Sequence, residues 1–203
     1  MINKFCIPLL MPPSTKKNGE VEILKKHPHT PVHLFLDDMP YFITGSTYNK
    51  RYLLENEEIK RLLHDKIDYY FSKYGWKLDH WVILDNHYHL LGISSIGSDL
   101  TKIIKGIHGS TSSKICQTMN CSKPVWWNYW DYCPRNEREY NIRLNYLLWN
   151  PVKHGYVDDL KKYSFSSINK IFTKIGEDGF RKHLQKYPEF KNLVLKEVEG
   201  DDF

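Results

Sequence analysis

His87 and His89 lie two residues apart in the run Trp81-Val82-Ile83-Leu84-Asp85-Asn86-His87-Tyr88-His89-Leu90-Leu91-Gly92, which has the composition of a β-strand. Successive side chains of a strand point to opposite faces, so the two imidazoles share one face and Tyr88 takes the other. Two neutral imidazoles side by side are half of a divalent-metal site, and the apolar flanks would hold the strand in a core. The same pattern also occurs as two structural histidines on a half-buried strand, so the pair gains meaning only with a further donor.

A further donor is suggested in Arg143-Leu144-Asn145-Tyr146-Leu147-Leu148-Trp149-Asn150-Pro151-Val152-Lys153-His154-Gly155-Tyr156-Val157. On a helix, Tyr146 and Asn150 stand one above the other, so a phenol and a carboxamide share a face. Leu144, Leu147 and Leu148 fall largely on another part of that helix, where they would pack a core. A phenol is a weak nucleophile at neutral pH and needs a nearby cation, for which Lys153 and His154 are the neighbours in sequence. With fourteen tyrosines in the chain, Tyr140, Tyr129 and Tyr156 compete with Tyr146 on residue type alone.

The pattern predicts the elements that must position these groups. A strand is expected over 40–48. A helix over 55–74 follows, with Ile59, Leu62, Leu63, Ile67 and Tyr70 at helical spacing and Gly75 as its stop. Strands over 76–84 and 88–94 are separated by Asp85-Asn86. A second helix over 98–119 carries Leu100, Ile103, Ile104, Ile107 and Ile115 in register, with a kink or weak point expected at Gly109-Ser110-Thr111-Ser112-Ser113. In the strand over 125–132, alternation puts Trp126, Asn128 and Trp130 on one side and Trp127 and Tyr129 on the other, so at most half of these aromatics are free to stack on bases. The next helix starts near Asn136, capped with Glu139, and stops at Gly155. The order β-α-β-β-α-β-α predicts an α+β fold, a ferredoxin-like antiparallel sheet with helices on one face. The expected organisation is an N-terminal extension over 1–36, with a possible hairpin at Asn18-Gly19, the domain over 37–168, and a C-terminal helical tail over 169–203, broken at Gly176 and Gly179 and ending in an acidic tip.

Asn86-His87-Tyr88-His89 together with Tyr146-x-x-x-Asn150-Pro151-Val152-Lys153-His154-Gly155 resembles the single-tyrosine HUH transposases of the IS200-like class, most of all the REP-associated tyrosine transposases of bacteria. The resemblance runs from about Asp37 to Ser167 and includes Tyr41-Phe42-Ile43-Thr44, Val125-Trp126-Trp127-Asn128-Tyr129-Trp130-Asp131 and Tyr163-Ser164-Phe165-Ser166-Ser167. It implies that His87, His89 and Asn150 hold a divalent metal, Mg²⁺ or Mn²⁺, and that Tyr146 attacks single-stranded DNA to form a 5′-phosphotyrosine link. The implied partner is single-stranded or hairpin DNA, and the implied reaction is nicking and strand transfer. The alternatives are a domesticated relative that binds structured nucleic acid without cutting it, and an interaction module whose histidine pair is structural. The family usually has Pro two residues before the first His. Asp85 stands there instead, leaving a looser strand start or supplying a carboxylate to orient an imidazole. The motif around Asn150 favours a monomer in which Tyr146 serves its own histidine pair, over a dimer exchanging the tyrosine helix.

Composition sets the outer limits. At 203 residues, with 41% hydrophobic and 14% aromatic residues, the chain suits one domain with extensions. Twenty-nine Lys and Arg against 24 Asp and Glu leave a formal charge of +5, which permits a polyanionic partner without requiring one. Lys102, Lys105, Lys114 and Lys123 are the candidate nucleic-acid contacts, with a solvated helix face as the alternative. The four cysteines, Cys6, Cys116, Cys121 and Cys133, lack CxxC spacing and read as reduced thiols rather than a zinc site. No apolar run approaches the roughly 20 residues of a membrane span. No membrane association is the resulting expectation, and the family resemblance implies a cytoplasmic, nucleoid-associated bacterial protein.

Overall fold

The computed structural model describes residues 35–193 and 195; the expected N-terminal extension, its hairpin, Cys6 and the acidic tip lie outside the described residues. The centre of the fold is β1 (Pro40–Thr47), buried along its whole length. It is flanked on one side by β3 (His87–Ile93), with β2 (Lys77–Ile83) beyond, and on the other by β4 (Trp126–Tyr132). All three pairings are antiparallel, in the order β2-β3-β1-β4. Because side chains alternate, Tyr41 and Ile43 of β1 join one hydrophobic cluster and Phe42 joins another across the sheet.

The first cluster is closed by α1 (Glu57–Lys73) and α2 (Leu100–Met119). Asn56 caps α1 by accepting from Glu58 N at 2.8 Å and Ile59 N at 3.3 Å. Its buried stripe is Ile59, Leu63, Ile67 and Phe71. Gly75 after α1 and Gly155 after the fourth strand's helix both adopt positive φ, 69° and 72°, as the predicted stops require.

The expected kink in α2 is absent. The helix runs unbroken through residues 109–113, where the hydroxyls are satisfied by carbonyls one turn back: Ser110 to Ile107 at 3.2 Å, Thr111 to Ile107 at 2.8 Å and Ser112 to His108 at 2.7 Å. Thr111 is also buried and accepts from Trp126 Nε1 at 3.1 Å, so tertiary packing overrides weak propensity.

The predicted alternation of β4 fails for a related reason. A register shift between Gly45 and Thr47 of β1 puts Trp126 with Tyr129 on the α2 side, against the first cluster, while Trp130 lines a cavity on the other side.

The second cluster is closed by α3 (Glu137–Lys153) and α4 (Ile168–Lys186). The α+β antiparallel architecture is therefore the predicted one, and the expectation of helices on one face describes α1 and α2; α3 and α4 cover the opposite face. Asn136 caps α3, accepting from Glu139 N at 2.9 Å. The predicted break in the tail occurs at Gly176 (φ 68°), whereas Gly179 stays helical. A final short turn, Pro188–Asn192, packs on α3, with Phe190 against Trp149. Among the described residues no helix is long and apolar enough to cross a membrane.

Candidate metal and nucleophile site

His87 and His89 stand on the α3 side of β3, paired in register with Ser46 and Thr44 of β1. Their ring centroids are 5.0 Å apart. His89 is 2% exposed and stacks on Phe42 at 5.3 Å. Each imidazole is held by a second residue that the sequence reading did not assign. Asn86 donates its amide N–H to the Lys50 carbonyl at 3.1 Å, which turns Oδ1 toward His87 Nδ1 at 2.6 Å. Nδ1 of His87 must then carry the proton, leaving Nε2 as the lone-pair atom. Thr44 Oγ1 lies 2.9 Å from His89 Nδ1, and His89 Nε2 is buried without a hydrogen-bond partner. Such outer contacts orient metal-binding histidines. Asn86, adjacent to His87 in sequence, was the available signal; Thr44 becomes visible only through strand register.

Burial keeps both imidazoles neutral. It lowers His87 to about 3, with the adjacent His154 opposing protonation further and Asn150 weakly favouring it. His89 is likewise held well below the ordinary histidine value, first by burial and then by His87. Neutral rings keep their lone pairs for a cation at neutral pH.

Across the cavity, α3 presents Tyr146 and Asn150. The Tyr146 ring is 5.4 Å from the His89 ring and 6.2 Å from Phe42. Its hydroxyl accepts from Lys153 Nζ at 3.3 Å, one helical stretch on, and the ammonium also lies 4.7 Å from the ring centroid. The hydroxyl therefore meets a cation at the cavity rather than packed hydrocarbon. Asn150 donates Nδ2 to the Tyr146 carbonyl at 3.3 Å. That bond aims Oδ1 elsewhere, and Oδ1 is buried without a hydrogen bond, although the carboxamide is close enough to His87 to influence its protonation. The cavity, of about 230 Å³, is lined by Thr44, His87, His89, Trp130, Tyr146, Lys153 and His154 among others. The His154 ring is 5.3 Å from that of His87.

The donors fit a divalent cation on the chemistry of their unsatisfied atoms: an imidazole nitrogen and a carboxamide oxygen, both buried and unpaired, beside a second oriented imidazole. Among the described residues no three His, Cys, Asp or Glu side chains gather into a metal-binding group. Asn150 offers an uncharged oxygen beside the histidine pair.

The remaining candidates lie elsewhere. Asp85 does not orient an imidazole. It pairs with the buried Lys60 ammonium at 2.6 Å, and Lys60 also reaches Tyr163 Oη at 3.4 Å, itself bonded to the Ile83 carbonyl at 2.7 Å. Tyr140 lies 3.4 Å from Asp79, and Tyr129 bonds Thr101 at 3.1 Å. Tyr156 also lines the cavity, where its hydroxyl accepts from Asp85 N at 3.4 Å. Lys102, Lys105 and Lys114 are on α2, across the sheet from the cavity, where Lys102 pairs with Asp99 at 2.7 Å and Lys114 with Glu58 at 3.1 Å. Lys123 is exposed ahead of β4. Cys116 and Cys121 are 3.4 Å apart at the end of α2, and Cys133 is buried apart from them, bonded to Tyr41.

Comparison with known proteins places this arrangement. The family profile "Transposase IS200 like" matches residues 36–134, which span the four strands but stop before α3. A REP-associated tyrosine transposase of Escherichia coli (strain K12) is 25% identical over 137 residues, 64% of this chain and 81% of the relative. A putative REP-associated tyrosine transposase of Haemophilus influenzae is 26% identical over 147 residues, 64% of this chain and 83% of the relative. The solved structure of a REP-associated tyrosine transposase bound to a REP hairpin superposes with a TM-score of 0.56 at 23% identity, covering 67% of this chain and 80% of the other, and supports the fold. Residues 36–134 thus resemble the IS200-like transposases, and the relatives this chain is similar to are REP-associated tyrosine transposases.

Proposed function

We propose that this protein nicks and rejoins single-stranded DNA through a 5′-phosphotyrosine intermediate on Tyr146, with His87, His89 and Asn150 holding a divalent cation, Mg²⁺ or Mn²⁺. The observation that carries this is convergence. The Tyr146 ring, 5.4 Å from His89, opens onto the same cavity as the histidine pair, and the unpaired Asn150 Oδ1 lies one turn along the same helix. When bound, the cation would screen the charge of the scissile phosphodiester and stabilise its transition state.

The chain's own residues do the rest. Lys153 Nζ, 3.3 Å from the Tyr146 hydroxyl, stabilises the phenolate as the phenolic proton leaves. Tyr146 Oη then forms a bond to phosphorus, the bond from phosphorus to O3′ breaks, and the departing 3′ oxygen takes up a proton. In the reverse sense a 3′-hydroxyl attacks the phosphotyrosine, restores a phosphodiester and frees Tyr146. One phosphoester bond is exchanged for another at each step, so joining needs no nucleotide triphosphate. Thr44 and Asn86 keep the imidazoles aimed. Lys50 and Lys153 on the cavity wall give it a positive lining suited to a phosphate backbone.

The substrate class is single-stranded DNA bearing a hairpin, by analogy with the relative solved on a REP hairpin. The functional unit is residues 37–168, with the tail over 169–203 bracing α3: Tyr187 Oη lies 3.2 Å from Glu137, and the Tyr187 carbonyl accepts from Asn145 at 3.2 Å. Tyr146 and the histidine pair meet within one chain, in keeping with a monomer that serves its own site.

Incubation with a labelled single-stranded oligonucleotide carrying a stem-loop and Mn²⁺ should give cleavage and a covalent protein adduct. Tyr146→Phe should abolish both, a loss of at least ~10³-fold, and EDTA should do the same for the wild type. Cleavage surviving in Tyr146→Phe rejects the nucleophile, and tight hairpin binding without any wild-type cleavage favours a non-cutting relative.

A further inference from the structure

Among the described residues, the large apolar side chains standing out from the surface are Tyr52, Tyr69, Ile96 and Trp127. Tyr52 alone of these four also lines the cavity of His87, His89 and Tyr146, and it is 62% exposed. Its side chain projects, but its backbone is anchored on both sides. Leu53 and Leu54 beside it are buried, and Leu54 N donates to the Asp85 carbonyl at 2.8 Å. Just before it, Asn49 and Lys50 adopt left-handed φ of 55° and 49°, a conformation that persists in side-chain-bearing residues only when the surroundings enforce it. Here they do: Thr47 Oγ1 donates to the Arg51 carbonyl at 2.6 Å, Arg51 Nε to the Tyr48 carbonyl at 3.1 Å, and the Asn86 amide to the Lys50 carbonyl at 3.1 Å. The loop is thereby tied to the residue that orients His87, and it delivers Lys50 and Tyr52 to the cavity together.

We propose that Tyr52 is a base-stacking platform that takes the unpaired nucleobase next to the phosphodiester held at Tyr146, with Lys50 facing the backbone phosphate of that nucleotide. The proposal rests on reading the cavity as a single-strand site and names a subsite within it. A tyrosine projecting from a fixed backbone offers a flat π-face with few degrees of freedom to lose, and every base has a matching face, so the contact tolerates sequence. The cationic neighbours Lys50 and Lys153 favour a polyanionic strand over an apolar peptide as occupant. The α2 lysines across the sheet are not part of this path.

The test uses the full chain with Tyr146→Phe, to prevent turnover, and a fluorescein-labelled mixed-sequence oligonucleotide with one stem-loop, read by anisotropy. Adding Tyr52→Ala should weaken binding about 10-fold and Tyr52→Trp should restore it. An abasic site walked along the unpaired strand should weaken binding about 10-fold at one position in the parent and have no further effect there in Tyr52→Ala. Tyr52→Leu, which keeps apolar bulk without a π-face, should behave as Tyr52→Ala; with the melting temperature checked, it also guards against a folding artefact. Unchanged binding in Tyr52→Ala, or abasic penalties that add to it at every position, overturns the subsite while leaving the nicking reading intact. No binding of the oligonucleotide by the parent overturns both.

Discussion

His89, buried, and His108, half-buried, are both driven to low basicity by desolvation, yet they sit in opposite kinds of environment on the two faces of one strand. His108, on α2, spends Nε2 on the Tyr88 hydroxyl at 2.9 Å and lies flat on Trp126, with centroids 4.3 Å apart and planes 5° from parallel. His89, the next residue after Tyr88, spends Nδ1 on Thr44 and leaves Nε2 buried and unpaired toward a cavity shared with a tyrosine. The perturbed pKa does not tell them apart. An unpaired nitrogen alone does not either, since His64 and His183 also carry an unpaired Nε2; what sets His89 apart is that its unpaired Nε2 shares a cavity with a second imidazole and a phenol, beside an unpaired carboxamide oxygen.

The sharpest way to break this comparison is to remove each ring. His89→Ala should cut Mn²⁺-dependent cleavage by ~10³-fold with little loss of thermal stability, whereas His108→Ala should lower stability by about 2–3 kcal/mol and leave cleavage per folded molecule unchanged. Cleavage assays set beside urea unfolding decide it, and equal losses of both kinds in both variants would erase the distinction.

Next in size is the ion pair beneath the histidine strand. Asp85→Asn strands the Lys60 ammonium, whose side chain is only 7% exposed, and should destabilise the protein by about 3 kcal/mol. Mn²⁺ affinity measured calorimetrically should not move, since Asp85 touches neither imidazole. A fall in affinity without a fall in stability would return Asp85 to the metal face.

A smaller effect is expected from Thr44→Val, which removes the hydroxyl from His89 Nδ1 and should weaken Mn²⁺ binding by about 10-fold, at the lower end for an orienting contact. Equal Mn²⁺ titrations for variant and wild type would reduce Thr44 to packing.

A pH effect is confined to the other face. His108 is held at about 3 against an ordinary 6.5, so between those values the unfolded chain binds a proton that the native one does not. Stability therefore rises with pH across that window: it is fully present above about 6.5 and drains away on acidification toward about 3. His108→Gln removes one such proton, so the stability gap between variant and wild type should narrow as metal-free samples are taken from about pH 7 to about pH 4. A gap of constant width would mean that the native ring takes up its proton as readily as the unfolded one.

Much of this was legible in the residues because it depends on neighbours in sequence. The spacing of Ile59, Leu63 and Ile67, the cap Asn136, the stops Gly75 and Gly155, and the shared face of His87 and His89 all follow from local geometry and short-range hydrogen bonds. So does the stacking of Tyr146 over Asn150. The readings that failed depended on distant partners. Packing of the buried Thr111 against Trp126 accompanies an α2 that continues through its poor helix formers. A one-sided register shift against β1 turned Trp126 to the opposite face from the one its alternation indicated.

By itself the sequence determined the element order, the imidazole pair, the phenol and carboxamide on one helical face, and the family these residues resemble. The tertiary structure alone decided that α3 crosses the sheet on the histidine side while the α2 lysines lie on the other, that Asp85 serves Lys60, and that Thr44 and Asn86 aim the two rings. The reason is physical. Periodicity and capping act within a few residues, whereas register, the pairing of buried charges and the choice of sheet face are settled by which distant groups can bury surface and satisfy hydrogen bonds at once.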